Sequence, residues 1–281
     1  MPDLIIAIAL CVAVAIVYAT AALIQAAYAH MSVRELTRVP LWWVAQALNA
    51  LGAGLHVVSL GFGPLSLIQP LGVLTLVLAV VVAAGRARRM MTRLETVGLV
   101  STVAGLAGLA MIITTGGTPD TLTSSELTGL LVAVVILLAG LGYKGALPGA
   151  SSLWEAVAGG LAYAVCSALC QKVVVGFQTE GVGVLLHPAI LVSIAAIGTL
   201  AVAGTVFTQR SYRDGLAAPL AVTNLVNPAA ATAIGVVFLG ETVATTGVEA
   251  VLAVVCAVLA GYGVTKLAQA REAQPELQPA V

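Results

Sequence analysis

The sequence predicts an all-α, polytopic membrane helix bundle of about nine transmembrane helices, and three observations predict it. First, 60% of the 281 residues are hydrophobic and only 9% are charged, whereas a soluble domain carries about 25% charged residues. With a mean hydropathy of +1.08, the chain has too few polar groups to cover itself in water. Second, the apolar residues fall into nine runs. Third, the basic residues gather on one side of those runs.

A spanning helix needs about 20 mostly apolar residues. Helices suit continuous apolar runs because each backbone group finds its partner inside the segment. The predicted spans are 4–29, 41–61, 64–84, 95–115, 127–143, 152–175, 187–208, 215–239 and 246–267. The first run has no positive leading region and is 26 residues long, so it reads as a spanning helix and not as a signal peptide. The fifth is the shortest. Four starts carry capping-box spacing, a hydroxyl followed three residues later by a carboxylate: Thr92 with Glu95, Thr123 with Glu126, Ser152 with Glu155 and Thr246 with Glu249.

Orientation follows from the cations. Arg34, Arg38, Arg86, Arg88, Arg89, Arg93, Lys144, Arg210, Arg213, Lys266 and Arg271 all fall on one side of a nine-helix layout. That leaves only Lys172 of the 12 Lys and Arg. Positive residues mark the cytoplasmic face, so the N-terminus is predicted outside and the C-terminus inside. Eight or ten helices would scatter the same charges over both faces.

The zero net charge points away from nucleic acid. Cys11, Cys166, Cys170 and Cys256 lie in apolar runs without ligand-like histidines and read as small hydrophobes. There is no Gly-Lys-Ser/Thr phosphate loop and no Ser/His/Asp set. No catalytic residue, metal ligand or cofactor is therefore predicted, and the protein is not expected to be an enzyme.

Segments three and eight resemble each other. Ser66, Gln69 and Pro70 in one correspond to Asn224, Asn227 and Pro228 in the other. Gly85 and Gly240 close them, and Glu95 and Glu249 begin the helices that follow. The matched segments are five spans apart and so would cross in opposite directions. Pro-interrupted segments at corresponding places in two inverted halves point to a midplane binding site in secondary transporters. The predicted organisation is a first half of four helices (1–120), a second of five (121–270), and a disordered cytoplasmic tail (271–281).

The run from Gly63-Pro64 through Gln69-Pro70 to Gly72, the repeat around Asn227-Pro228, and Leu239-Gly240-Glu241 resemble the EamA-like half of the drug/metabolite transporter superfamily. Leu41-Trp42-Trp43 and Gln171-Lys172 resemble its nine-helix NIPA-like branch, described as magnesium transporters. The resemblance spans 1–267 and implies transport by two inverted halves. A usual member has five helices in each half, and here the first half lacks one.

Polar groups at membrane depth are costly and mark functional positions, or else they join helices. The substrate-binding candidates are Gln46, Asn49, His56, Gln69, Lys172, Thr223, Asn224 and Asn227, with Pro70 and Pro228 as helix-kink positions. Pro228 removes one backbone donor and frees the carbonyl of Asn224. Asn49 and His56, seven apart, share a helix face, and His56 would titrate in proton coupling. Lys172 either snorkels to outer headgroups or offers a positive charge to a cavity. Glu95, Glu155 and Glu249 read as caps.

The resulting expectation is a secondary transporter of a small metabolite or amphiphilic solute, working by alternating access in the cell (inner) membrane. The alternatives are a divalent-cation (magnesium) transporter and a non-transporting partner in envelope or lipid-precursor biosynthesis. Magnesium prefers oxygen ligands, usually with carboxylates, and no mid-span Asp or Glu supplies them. The expected partners are the lipid bilayer, the small-molecule or ion substrate, and a second copy in a homodimer. A reporter that fluoresces only in the cytoplasm should be bright when fused after Val281 and dark when fused before Met1. The reverse pattern would refute the orientation.

Overall fold

The structure, a computed structural model, describes residues 2–59, 71–112, 115–116, 122–238, 242–243 and 246–272. Among the described residues ten α-helices run in order: α1 Pro2–Ala27, α2 Val33–Leu36, α3 Pro40–Ser59, α4 Leu71–Arg86, α5 Arg93–Ile112, α6 Ser124–Ala146, α7 Leu153–Glu180, α8 Pro188–Ser211, α9 Ala217–Phe238 and α10 Gly247–Glu272. Apart from the single-turn α2, each overlaps a predicted segment, and positions 64–70 of the third predicted segment lie outside the described residues. Five stretches among the described residues are long and apolar enough to cross a membrane: Ala9–Ala27, Ser124–Ala146, Leu153–Phe177, Pro188–Asp214 and Gly247–Ala270.

Several boundaries move. The fifth segment is a 23-residue helix, because the Thr123–Glu126 box starts it earlier and the helix continues past Lys144. The last helix reaches Glu272, two residues into the stretch assigned to the tail. Two short strands add to the all-α expectation: β1 Thr115–Gly116 pairs antiparallel with β2 Thr242–Val243. They join the segments that follow α5 and α9.

The chain forms two compact units. One comprises Met1–Thr114, Tyr212–Ala221 and Thr245–Val281; the other comprises Thr115–Ser211 and Val222–Ala244. The unit boundary therefore falls within α9, and the last helix belongs with the first part of the chain.

In the first unit, α5 and α10 meet along small residues. Gly98, Thr102 and Gly105 at i, i+4 and i+7 face Cys256, Ala260 and Gly263. A Cβ on Gly105 would stand 2.5 Å from the Ala260 amide nitrogen and the Cys256 carbonyl oxygen. Thr102 is buried, and its hydroxyl turns back to the Gly98 carbonyl at 2.8 Å, so it adds no unmet donor to the seam. On α1 the buried residues Cys11, Val14, Ala15, Ala19, Ala21, Ala22 and Gln25 follow the helical repeat and form one face.

In the second unit, Leu127, Leu130, Val134 and Leu138 of α6 pack on Ala158, Ala162, Val165 and Leu169 of α7, with Leu200 and Ile234 completing the core. Adjacent glycines let α7 touch two neighbours. Gly159 faces Thr208 of α8, and Gly160 faces Thr223 and Val226 of α9. The Tyr163 ring lies on Gly204, and its hydroxyl reaches Thr205 at 3.4 Å.

Gly105→Leu should lower unfolding stability in detergent by about 1–3 kcal/mol through overpacking. Gly54→Ala, with nothing within 4 Å of its added carbon, should be neutral or stabilising. Equal melting temperatures for the two variants would contradict the seam.

Candidate functional site

Helix starts decide where the acids point. Thr92 and Glu95 form the predicted reciprocal cap: the Thr92 amide donates to Glu95 at 2.8 Å and the Glu95 amide to the Thr92 hydroxyl at 3.2 Å. Thr123 with Glu126 and Thr246 with Glu249 do the same. Ser32 and Glu35 form a further box at α2. Outside the spans, the Ser32 hydroxyl and amide hold the Glu35 carboxyl below its ordinary pKa. Arg89 also grips Glu95 with two bonds of 2.6 and 2.7 Å.

The Ser152–Glu155 box is not formed, which corrects the expectation of a fourth cap. Ser152 has helical backbone angles and makes no side-chain cap. Its neighbour Ser151 instead accepts the Leu153 amide at 3.3 Å. Relieved of capping, Glu155 turns inward, fully shielded, with its carboxylate 2.7 Å from Nε of Arg210 on α8. Arg210 itself is 46% exposed. Gly145 at the end of α6 provides the space, since a Cβ there would be 2.7 Å from Glu155 Cγ. Beside it, the Lys144 ammonium lies 4.7 Å from the Trp154 ring centroid, a cation–π contact. Three helix ends thus meet at one acid, two cations and an indole. Spacing alone could not reveal the pair, because Ser151-Ser152 supplies two candidate hydroxyls and the wrong one has box spacing.

The predicted site residues divide between the units. In the first, Gln46, Asn49 and His56 are all half-buried on α3, and their spacings of 3 and 7 put them on one face. The Tyr18 ring lies against Gly52, where a Cβ would come within 2.7 Å of it. In an antiparallel hairpin in this register, the buried Gln25 of α1 falls level with Ala45 and Gln46. Nε2 of Gln46 is buried and has no hydrogen-bond partner among the described residues. A buried donor left unmet costs about 1–3 kcal/mol, so this face has capacity for an acceptor. Gln69 and Pro70 lie outside the described residues.

In the second unit, α9 runs through Pro228 without ending. Asn224 and Asn227 are half-buried on that helix. Thr223 is buried and donates its hydroxyl to the Ala156 carbonyl at 3.2 Å, a bond that joins α9 to α7. Lys172 is half-buried and donates to the Leu122 carbonyl, with Glu126 near enough to attract it. It anchors the entry to α6, a use that neither snorkelling nor a cavity charge anticipated. Cys11 is buried, Cys166 and Cys256 are half-buried and Cys170 is exposed, so the last departs from the expectation of a buried small hydrophobe. Among the described residues, no group of three His, Cys, Asp or Glu could hold a metal ion.

Comparison with protein-family models, with curated proteins and with solved structures finds no match.

At neutral pH, Arg210→Ala strands the buried carboxylate and should cost about 3 kcal/mol of stability. Glu155→Gln leaves the cation within reach of water and should cost about 1 kcal/mol. Denaturant unfolding in detergent checks the order, and a smaller loss for Arg210→Ala would contradict the pair's asymmetry.

Proposed function

We propose that this membrane-embedded, multi-pass helical protein is a secondary transporter of a small metabolite or amphiphilic solute. In this reading nine spans, N-terminus outside and C-terminus inside, form inverted halves of four and five helices in the cell (inner) membrane. The halves work by alternating access, as the resemblance to the EamA-like drug/metabolite transporters implies. Substrate recognition is assigned to side-chain amides: Gln46 and Asn49 on α3, Gln69, and Asn224 and Asn227 on α9.

The observation that carries the reading is a set of half-buried side-chain amides in long apolar helices. These are Gln46 and Asn49 on α3, and Asn224 and Asn227 one turn and one residue before Pro228 on α9. Amides hydrogen-bond neutral polar groups without carrying charge into the bilayer, which suits a small polar or amphiphilic solute. Pro-interrupted segments at corresponding places of two halves are the sequence pointer to such sites. Lys172 and Thr223, by contrast, support the packing around the site.

The divalent-cation alternative gains nothing from the geometry. Magnesium needs near-octahedral oxygen ligation, commonly through carboxylates. The buried acid Glu155 is paired to Arg210, and Glu95, Glu126 and Glu249 serve helix starts.

In proteoliposomes challenged with a panel of small metabolites and amphiphiles, the wild type should move at least one of them. Asn227→Ala and Gln69→Ala should each slow that flux by about tenfold, equivalent to about 1.4 kcal/mol. Undiminished flux in both variants would sink the site assignment, and magnesium uptake alone would favour the cation alternative.

A further inference from the structure

We propose that Glu155 is a proton-binding site, and that a proton and the Arg210 guanidinium are alternative occupants of its carboxylate. Among the described residues, Glu155 is the one acidic or basic side chain that is buried. Its 2.7 Å partner is a cation that keeps its charge, comes from a different helix and is itself half-exposed. Ionised, the carboxylate ties the end of α8 to the start of α7. Protonated, it loses that attraction, and Arg210 turns to water at little cost because it already reaches water.

The pocket determines which partner moves. Glu155 is fully shielded, with the Gly145 backbone close to its Cγ, whereas the long Arg210 side chain is 46% exposed and free to reorient toward water. The cation paired with the carboxylate is Arg210 from α8, and the nearby Lys144 ammonium of α6 is held over the Trp154 ring. Ser152 and Gln209 are buried and neutral. Helix α9, whose Thr223 bonds to the carbonyl next along from Glu155, has no titratable residue. The first-turn amides of α7 also favour the anion, so a proton binds in competition with Arg210 and with that helix end. Exchanging a fixed proton for a movable cation biases two arrangements of the α7–α8 contact, as a coupling ion must. The inference rests on the transporter reading in naming the proton as coupling ion; the exchange itself stands apart from it.

The test is infrared difference spectroscopy of the full chain in liposomes between about pH 4 and about pH 9, a range that spans ordinary and raised carboxyl titrations. The carbonyl band of a protonated acid is assigned by its loss in Glu155→Gln. Arg210→Gln should raise the midpoint of that band by about one pH unit or more, and Arg210→Lys should restore most of the shift. At one fixed pH, Glu155→Gln should speed deuterium exchange across 205–211, as Arg210→Gln does. A midpoint unmoved by Arg210→Gln, or no Glu155 band in either protein over that range, overturns the proposal. So does deuterium exchange that Glu155→Gln leaves unchanged. No substrate is needed for these measurements. Their failure leaves the transport reading standing, and absent flux with an intact band defeats transport alone.

Discussion

In a bilayer, helices gain no hydrophobic energy by meeting one another, since lipid tails are as apolar as leucine; close packing has to hold them together instead. Everything else in this chain depends on that constraint. It explains why the tightest contacts occur where side chains are smallest: Gly98 and Gly105 against Gly263 and Ala260, and Gly159 and Gly160 against two different neighbours of α7. Each places backbone near backbone and gains dispersion contacts that bulkier residues would forbid. The larger apolar side chains, such as Val135, Ile136, Val254 and Val258, are exposed on the outer faces, where lipid is the natural solvent.

The same constraint sorts the polar side chains. A hydroxyl or ammonium in an apolar interior is tolerable once it has a partner, and several find one on another helix or in their own preceding turn. Thr223 takes the Ala156 carbonyl, Lys172 takes the Leu122 carbonyl, and Thr102 turns back on Gly98. These groups join or stabilise helices. The buried Gln46 amide, without a partner among the described residues, remains able to bind something else. Gln46 is thus distinguished by what its neighbours leave unsatisfied, and depth in the membrane alone does not distinguish it.

Glu155 shows how a local rule gives way to a tertiary one. Of the four predicted boxes, three form the cap, and in the fourth the acid forms an ion pair with a helix some 55 residues further along the chain. A cap needs only two residues and an exposed turn, so it forms wherever nothing competes. At α7 there is competition: Ser151 meets the free amide, Gly145 opens a space, and Arg210 supplies a cation.

The sequence by itself determined the helices, because spans of about 20 apolar residues and local caps depend on near neighbours alone. The positions of α1, α3 and α5 to α10, and three of the four boxes, were legible on that basis. The amide faces of α3 and α9 were legible too, since helical spacing places them. Only the tertiary structure decided which helices touch: that α10 lies on α5, that the loops before Gly117 and after Gly240 pair as β1 and β2, and that Lys172 and Thr223 serve packing. It also turned Glu155 from a cap into a buried ion pair. The physical reason is that those outcomes depend on shape and partners brought together across long sequence distances. An apolar run rich in Ala, Val and Gly carries almost no record of which neighbour it will meet.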